Sequence, residues 1–152
     1  MYQYKVMVKD RIPYLKKASD KEYSNEEINE VKDAFKLIEE IFEIRYAAEE
    51  HLVMIALDSE FRPLGAFEVS HGTTRESIAS TREIFKMALL CGAECIILAH
   101  NHPTGDPAMS KEDEKVLKQV EKGGKLLDIQ LIEFMVIGND IYSSSEGGII
   151  KL

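Results

Sequence analysis

The chain has 152 residues, the length of one ordinary domain, because two independent cores would each fall near the lower limit of stable size. At 45% hydrophobic and 30% charged it has the material for a packed, well-solvated core, which excludes wholesale disorder and fibrous repeats. A formal net charge of -8 is the wrong sign for gripping a phosphate backbone, and the longest apolar runs, Leu52 to Leu57 and Cys95 to Ala99, fall far short of the roughly 20 residues that span a bilayer.

The opening stretch, MYQYKVMVKDRIPYLKK, intersperses charges with apolar residues and has no h-region. It is expected to be neither a secretory signal nor a membrane anchor, which makes the cytoplasm the expected location. Tyr2 to Val8 reads as a strand, closed by Pro13 ahead of a polar stretch. From Ile28 onward, Val31, Phe35, Ile38 and Phe42 recur at steps of three and four, so an amphipathic helix is expected, with Ser24 and Glu27 forming its capping box. Acids concentrate here: residues 26 to 50 hold nine acids and three bases. A solvated helix face accounts for them without a partner; a surface for a basic partner is the alternative.

His51 to Asp58 and Gly65 to Ser70 flank a turn-like SEFRP and predict a hairpin. Arg82 to Cys91 has Ile84, Phe85, Ala88 and Leu89 on one face and predicts a helix ending at Gly92. Cys95 to Ala99 is short, apolar and continuous, the pattern of a buried strand. A Pro, Gly, Asn and Asp-rich loop spans His100 to Met109. Ser110 to Lys122 then reads as a helix stopped by Gly123 and Gly124, Ile129 to Ile137 as a strand, and Ile141 to Ser143 with the tail as another. Strands interleaved with helices indicate an α/β sandwich. The two cysteines, Cys91 and Cys95, lack metal or redox spacing and are expected to be reduced core thiols.

The chemistry-bearing stretch is AHNHPTGDPAMSKED, Ala99 to Asp113. In an extended backbone, side chains at i and i+2 project to one side, so His100 and His102 can meet one ion while Asn101 points away. Pro103 holds His102 out of the α region. Asp113 falls in the first turn of the following helix, where the helix dipole favours a carboxylate. Two imidazoles and one carboxylate form a three-ligand set, which leaves zinc an open position for water. Alternatives exist for each part: strand-end histidines are often structural, and Ser110 with Asp113 is a sound helix cap that needs no metal.

In one frame, HxHPx6SxxD, these residues resemble the signature of the JAMM, or MPN-type, metalloprotease family, and HNHPTGDPAMSKED is similar to its bacterial RadC-like branch. The likeness continues through EHLVMIALD, FRPLGAFEVSHGT, TREIFKMALLCGAECIILAHNHP and KGGKLLDIQLIEFMVIG, about two thirds of the chain. The resemblance implies a three-layer, deaminase-like sandwich with a mixed sheet flanked by helices; a single domain is expected over 1–152, with the N-terminal strand and acidic helix within residues 1–46 and the catalytic core over 47–152. It further implies zinc held by His100, His102 and Asp113, Ser110 stabilising the oxyanion, and Glu50 as general base with Glu49 as its neighbouring alternative. Without the resemblance, Glu50 reads as the last acid of an acidic helix. His51 and His71, each a single histidine in or beside a strand, are set aside as packing or surface residues.

Some positions depart from the branch's pattern. Ser80-Thr81-Arg82-Glu83 stands where HPRE is common, and Thr104 replaces a serine after HNHP. The helix-hairpin-helix region of longer relatives is not seen ahead of the domain, so that DNA-binding appendage is not expected. The expected function is zinc-dependent hydrolysis of a peptide or isopeptide bond in a peptide or protein substrate. A non-catalytic scaffold and a DNA-repair-associated accessory are the alternatives, and self-association is left open. His-Asn-His here is not an HNH nuclease motif, whose residues spread over a ββα unit.

Overall fold

A computed structural model describes residues 1–72 and 80–152 of the chain. Its elements are β1 (Tyr2–Lys9), β2 (Ile12–Glu22), α1 (Val31–Phe42), β3 (Glu50–Leu57), β4 (Pro63–Gly72), α2 (Thr81–Cys91), β5 (Cys95–Asn101), α3 (Lys111–Leu127), β6 (Gln130–Ile137), β7 (Ile141–Ser143) and β8 (Gly148–Ile150). The strands form one mixed sheet in the order β2-β1-β4-β3-β5-β6-β7-β8. Among the described residues, only the β1–β4 and β5–β6 pairs are parallel. The second of these needs a crossover, which α3 supplies.

Alternation along the central strands sorts their side chains into two cores. Val53, Ile55 and Leu57 of β3 and Ile97 and Ala99 of β5 pack beneath Ala34, Leu37 and Ile38 of α1. Leu52, Met54, Ile96 and Leu98 face the other way, against Ile84, Phe85 and Ala88 of α2 and Val116 and Val120 of α3. The result is the expected three-layer sandwich. Covered on both faces, β3 and β5 read as continuous apolar runs, which is why their alternation is hidden in the sequence. The β3–β4 hairpin and the ends of α2 match expectation, with Gly92 closing α2 in the left-handed region at φ +71. Both cysteines are free, and burial pushes the Cys91 thiol up to about 11.

Four expectations are corrected. Pro13 does not close the N-terminal strand: it lies inside β2, where it sits opposite Val8 in the β1–β2 hairpin. The acidic helix begins at Val31 rather than near Ser24. Ser24 Oγ accepts from Glu26 N at 3.1 Å instead of capping it, and Ile28 N is tied to Phe61 O at 3.1 Å in a non-helical segment. That helix ends at Phe42, with Glu43 in the left-handed region, so Glu50 opens a strand instead of finishing a helix. Finally, α3 runs straight through Gly123 and Gly124 to Leu127. A Cβ at Gly123 would meet Phe85 Cε2 at 2.6 Å and one at Gly124 would meet Ile129 O at 2.3 Å, so these glycines serve close packing, not termination.

Candidate metal centre

Strand β5 extends two residues beyond its apolar run, carrying His100 and Asn101 inside the sheet where a loop was expected. His100 is opposite Leu52 of β3, so it projects into the α2/α3 layer. His102 follows, its N–H donating to Ile137 O at 2.8 Å on the neighbouring strand. The loop then doubles back: Gly105, at φ +82, donates to His102 O, and its own carbonyl accepts from Asn139 N at 2.8 Å. A side chain at Gly105 would strain the backbone and meet Asn139 Nδ2 at 2.9 Å. The return leads to Ser110, the N-cap of α3, in a complete capping box. Ser110 Oγ accepts from Asp113 N at 3.1 Å and Ser110 N donates to Asp113 Oδ2 at 2.7 Å.

This folding brings His100, His102 and Asp113 together. His100 Nε2 lies 3.1 Å from Asp113 Oδ1, and His102 Nε2 lies 3.5 Å from Asp113 Oδ2. Ligands on bonds of about 2.0 Å at tetrahedral angles stand about 3.3 Å apart, so these spacings suit a shared ion. His102 Nδ1 lies 2.8 Å from Asp106 O and donates to it, which leaves Nε2 as the lone-pair nitrogen aimed at Asp113. Both ring nitrogens of the buried His100 lack a hydrogen-bond partner. A buried imidazole that satisfies neither nitrogen is costly unless an ion takes one of them, so the residues fit a bound metal.

The electrostatics agree. Burial opposes ionisation of Asp113, yet the adjacent His100 and His102 imidazoles and the Ser110 N–H that Asp113 accepts outweigh it and hold the carboxyl well below the usual range. The Asp113 contact raises His102 above its ordinary value against the opposing effect of burial. An ionised carboxylate is therefore present for a cation to meet.

Glu50 shares the His100 face, being two residues before Leu52 on β3. Extended by two steps, the antiparallel register sets it opposite His102, and its charge reaches that imidazole. Its Oε2 is buried without a hydrogen-bond partner. Glu49 is exposed and precedes the strand; its carbonyl, not its carboxylate, is what the fold uses. Asn101 points away from the histidines as expected, but it has a task the motif does not reveal. Its Oδ1 accepts from His51 N at 2.7 Å and its Nδ2 donates to Glu49 O at 2.9 Å, so it pins the backbone on both sides of Glu50.

His51 and His71, set aside above, are adjacent across the hairpin and share Glu68. Two isolated histidines twenty positions apart give no spacing signal, and only the hairpin register joins them.

Comparisons with known proteins place the chain in a family. A family model described as a RadC-like JAB domain matches residues 28–149. Among curated proteins, the chain is similar to a UPF0758 protein of Clostridium kluyveri, 43% identical over 109 residues, covering 71% of this chain and 48% of that protein. A UPF0758 protein of Desulfitobacterium hafniense is 37% identical over 124 residues, covering 81% of this chain and 54% of its own length. The chain thus spans about half the length of the curated relatives it matches.

Proposed function

The chain belongs to the RadC-like JAB domain family, and from that premise we propose that it is a zinc-dependent hydrolase that cleaves peptide or isopeptide bonds with water. The observation that carries this reading is the meeting of His100, His102 and Asp113 on the face of the sheet that also carries Glu50, whose Oε2 is buried without a hydrogen-bond partner. A zinc ion held by the two imidazoles and Asp113 would supply Lewis acidity, polarising a carbonyl and bringing water's pKa toward 7.

The chain's own residues do the rest. Glu50, free of any other hydrogen bond at Oε2, takes a proton from the attacking water. As the new C–O bond forms, charge gathers on the former carbonyl oxygen. The Ser110 hydroxyl uses its oxygen to accept from Asp113 N, and its hydrogen remains to donate toward that charge. When the C–N bond breaks, Glu50 returns the proton to the departing amine, which balances the reaction as one water added. Asn101 holds Glu50 in place, and Asp106 O fixes the His102 tautomer.

The test is Glu50→Gln. The variant should bind as much zinc as the parent while turnover of a peptide or isopeptide substrate drops at least about 100-fold, the scale of a lost general base. Unchanged turnover removes Glu50 from the mechanism. Zinc that cannot be restored to stripped protein removes the metal reading altogether.

A further inference from the structure

His51, Glu68 and His71 take no part in this chemistry. They project from the opposite face of the sheet, the one that α1 covers. His51 pairs with His71 and Val53 pairs with Glu68, so all three side chains share the Val53 face. Residues three apart on a regular strand point to opposite faces; Glu68 and His71 do not, because a bulge inserts Val69 between the Leu52–Ser70 and Val53–Glu68 pairs. One extra residue therefore turns an ordinary strand end into a convergent group.

The two carboxylate oxygens address different imidazoles. Glu68 Oε1 is 2.6 Å from His71 Nδ1, and Glu68 Oε2 is 3.6 Å from His51 Nδ1. The rings stack at an interplanar angle of 29°, 5.7 Å apart at their centroids. A hydrogen bond to Glu68 accounts for His71 but not for His51, whose Nδ1 is buried without a partner. His71 and Glu68 remain partly exposed, at 59% and 38% of their side chains, which gives an ion a way in and leaves coordination positions open.

We propose that His51, Glu68 and His71 form a second divalent-metal site, independent of the one built on His100, His102 and Asp113. Two imidazoles and a carboxylate suit a borderline ion such as Zn2+, Ni2+ or Cu2+, whereas Ca2+ and Mg2+ call for a set of oxygen donors. An ion held there links β3 to β4 one residue from Glu50.

Equilibrium dialysis of metal-stripped protein against Zn2+, followed by metal analysis, tests this in the parent and in His102→Ala, Glu68→Gln, His71→Ala and the His71→Ala/His102→Ala double variant. Far-UV circular dichroism checks each fold; Glu68→Gln is isosteric and serves if an alanine variant unfolds. His102→Ala should still bind one ion, and adding His71→Ala should weaken that binding at least about 10-fold, a floor set by what losing even a supporting partner of a ligand costs. Glu68→Gln should do the same to the second ion of the parent. Binding in the His102→Ala background that His71→Ala leaves unchanged overturns the proposal, as does no binding there at all. A parent that holds one ion, lost with His71→Ala but kept in His102→Ala, supports this site and opposes the other, so the two readings fail separately.

Discussion

Asn101 makes hydrogen bonds at both of its amide atoms and none of them faces the histidines on either side of it. Removing it leaves His51 N and Glu49 O without partners in a site that is part-buried. Asn101→Ala should therefore lower unfolding free energy by about 1–3 kcal/mol. Zinc content should persist and turnover should fall, because the loss lies on the side of Glu50. Denaturant melts with metal analysis check this; zinc lost in proportion to activity would place the effect on the ligands instead. Ser110 caps α3, and the proposed mechanism gives its hydroxyl a second, separable task. Glycine is a tolerable N-cap, costing a few tenths of a kcal/mol, but has no hydroxyl. Ser110→Gly should leave stability nearly intact and cut kcat about 100-fold if the hydroxyl stabilises developing charge. A kcat equal to the parent's restricts Ser110 to capping.

At the scale of elements, α3 supplies the clearest contrast between local preference and packing. Glycine to alanine inside a helix ordinarily stabilises by about 1 kcal/mol. At Gly124 the added methyl would face Ile129 O at 2.3 Å, and backbone cannot swing aside. Gly124→Ala should destabilise by about 1–3 kcal/mol, as overpacking does. Thermal melts decide the sign, and a stabilised variant would show that the α3–β6 turn can relax. The same element shows how the sequence misleads: paired glycines after Val120 look like a stop, yet they are where the helix presses on Phe85 and on the chain leading to β6. Strand β2 was illegible for a different reason. Nearly all its side chains are exposed, so it carries no alternation of apolar and polar residues for a pattern to detect. Ile28 fits the helical period because it is buried, but its N–H is tied to Phe61 O, outside the helix.

Over the whole molecule the charge is segregated. Residues 5 to 22 hold six bases and three acids and form the β1–β2 hairpin, while the acids gather on and around α1. A Lys21–Glu40 pair, 3.5 Å apart and exposed on both sides, joins the two regions. With a net charge of -8, the chain should show no salt-dependent retention of duplex DNA at physiological ionic strength. A filter-binding titration tests this, and binding that weakens steeply with salt would point to the hairpin as a DNA contact. Among the described residues, no helix is long and apolar enough to cross a membrane.

The sequence by itself determined which residues meet at the candidate metal centre, and the layers. His100 and His102 must share a side because strand geometry has period two, and a Ser-x-x-Asp cap carries Asp113 wherever the helix starts. The apolar runs of β3 and β5 likewise dictate burial, whatever pairs with them. What depends on register was decided only by the tertiary structure. Glu50 faces the histidines because β3 pairs with β5 at Leu52 and His100, and Glu68 joins His51 and His71 because a single bulged residue shifts β4. Periodicity records which side chains are buried or share a face within one element; it holds no information on which strand lies alongside, at what offset. That offset is set by packing between segments far apart in the chain, and it is where the proposed base and the second metal site come from.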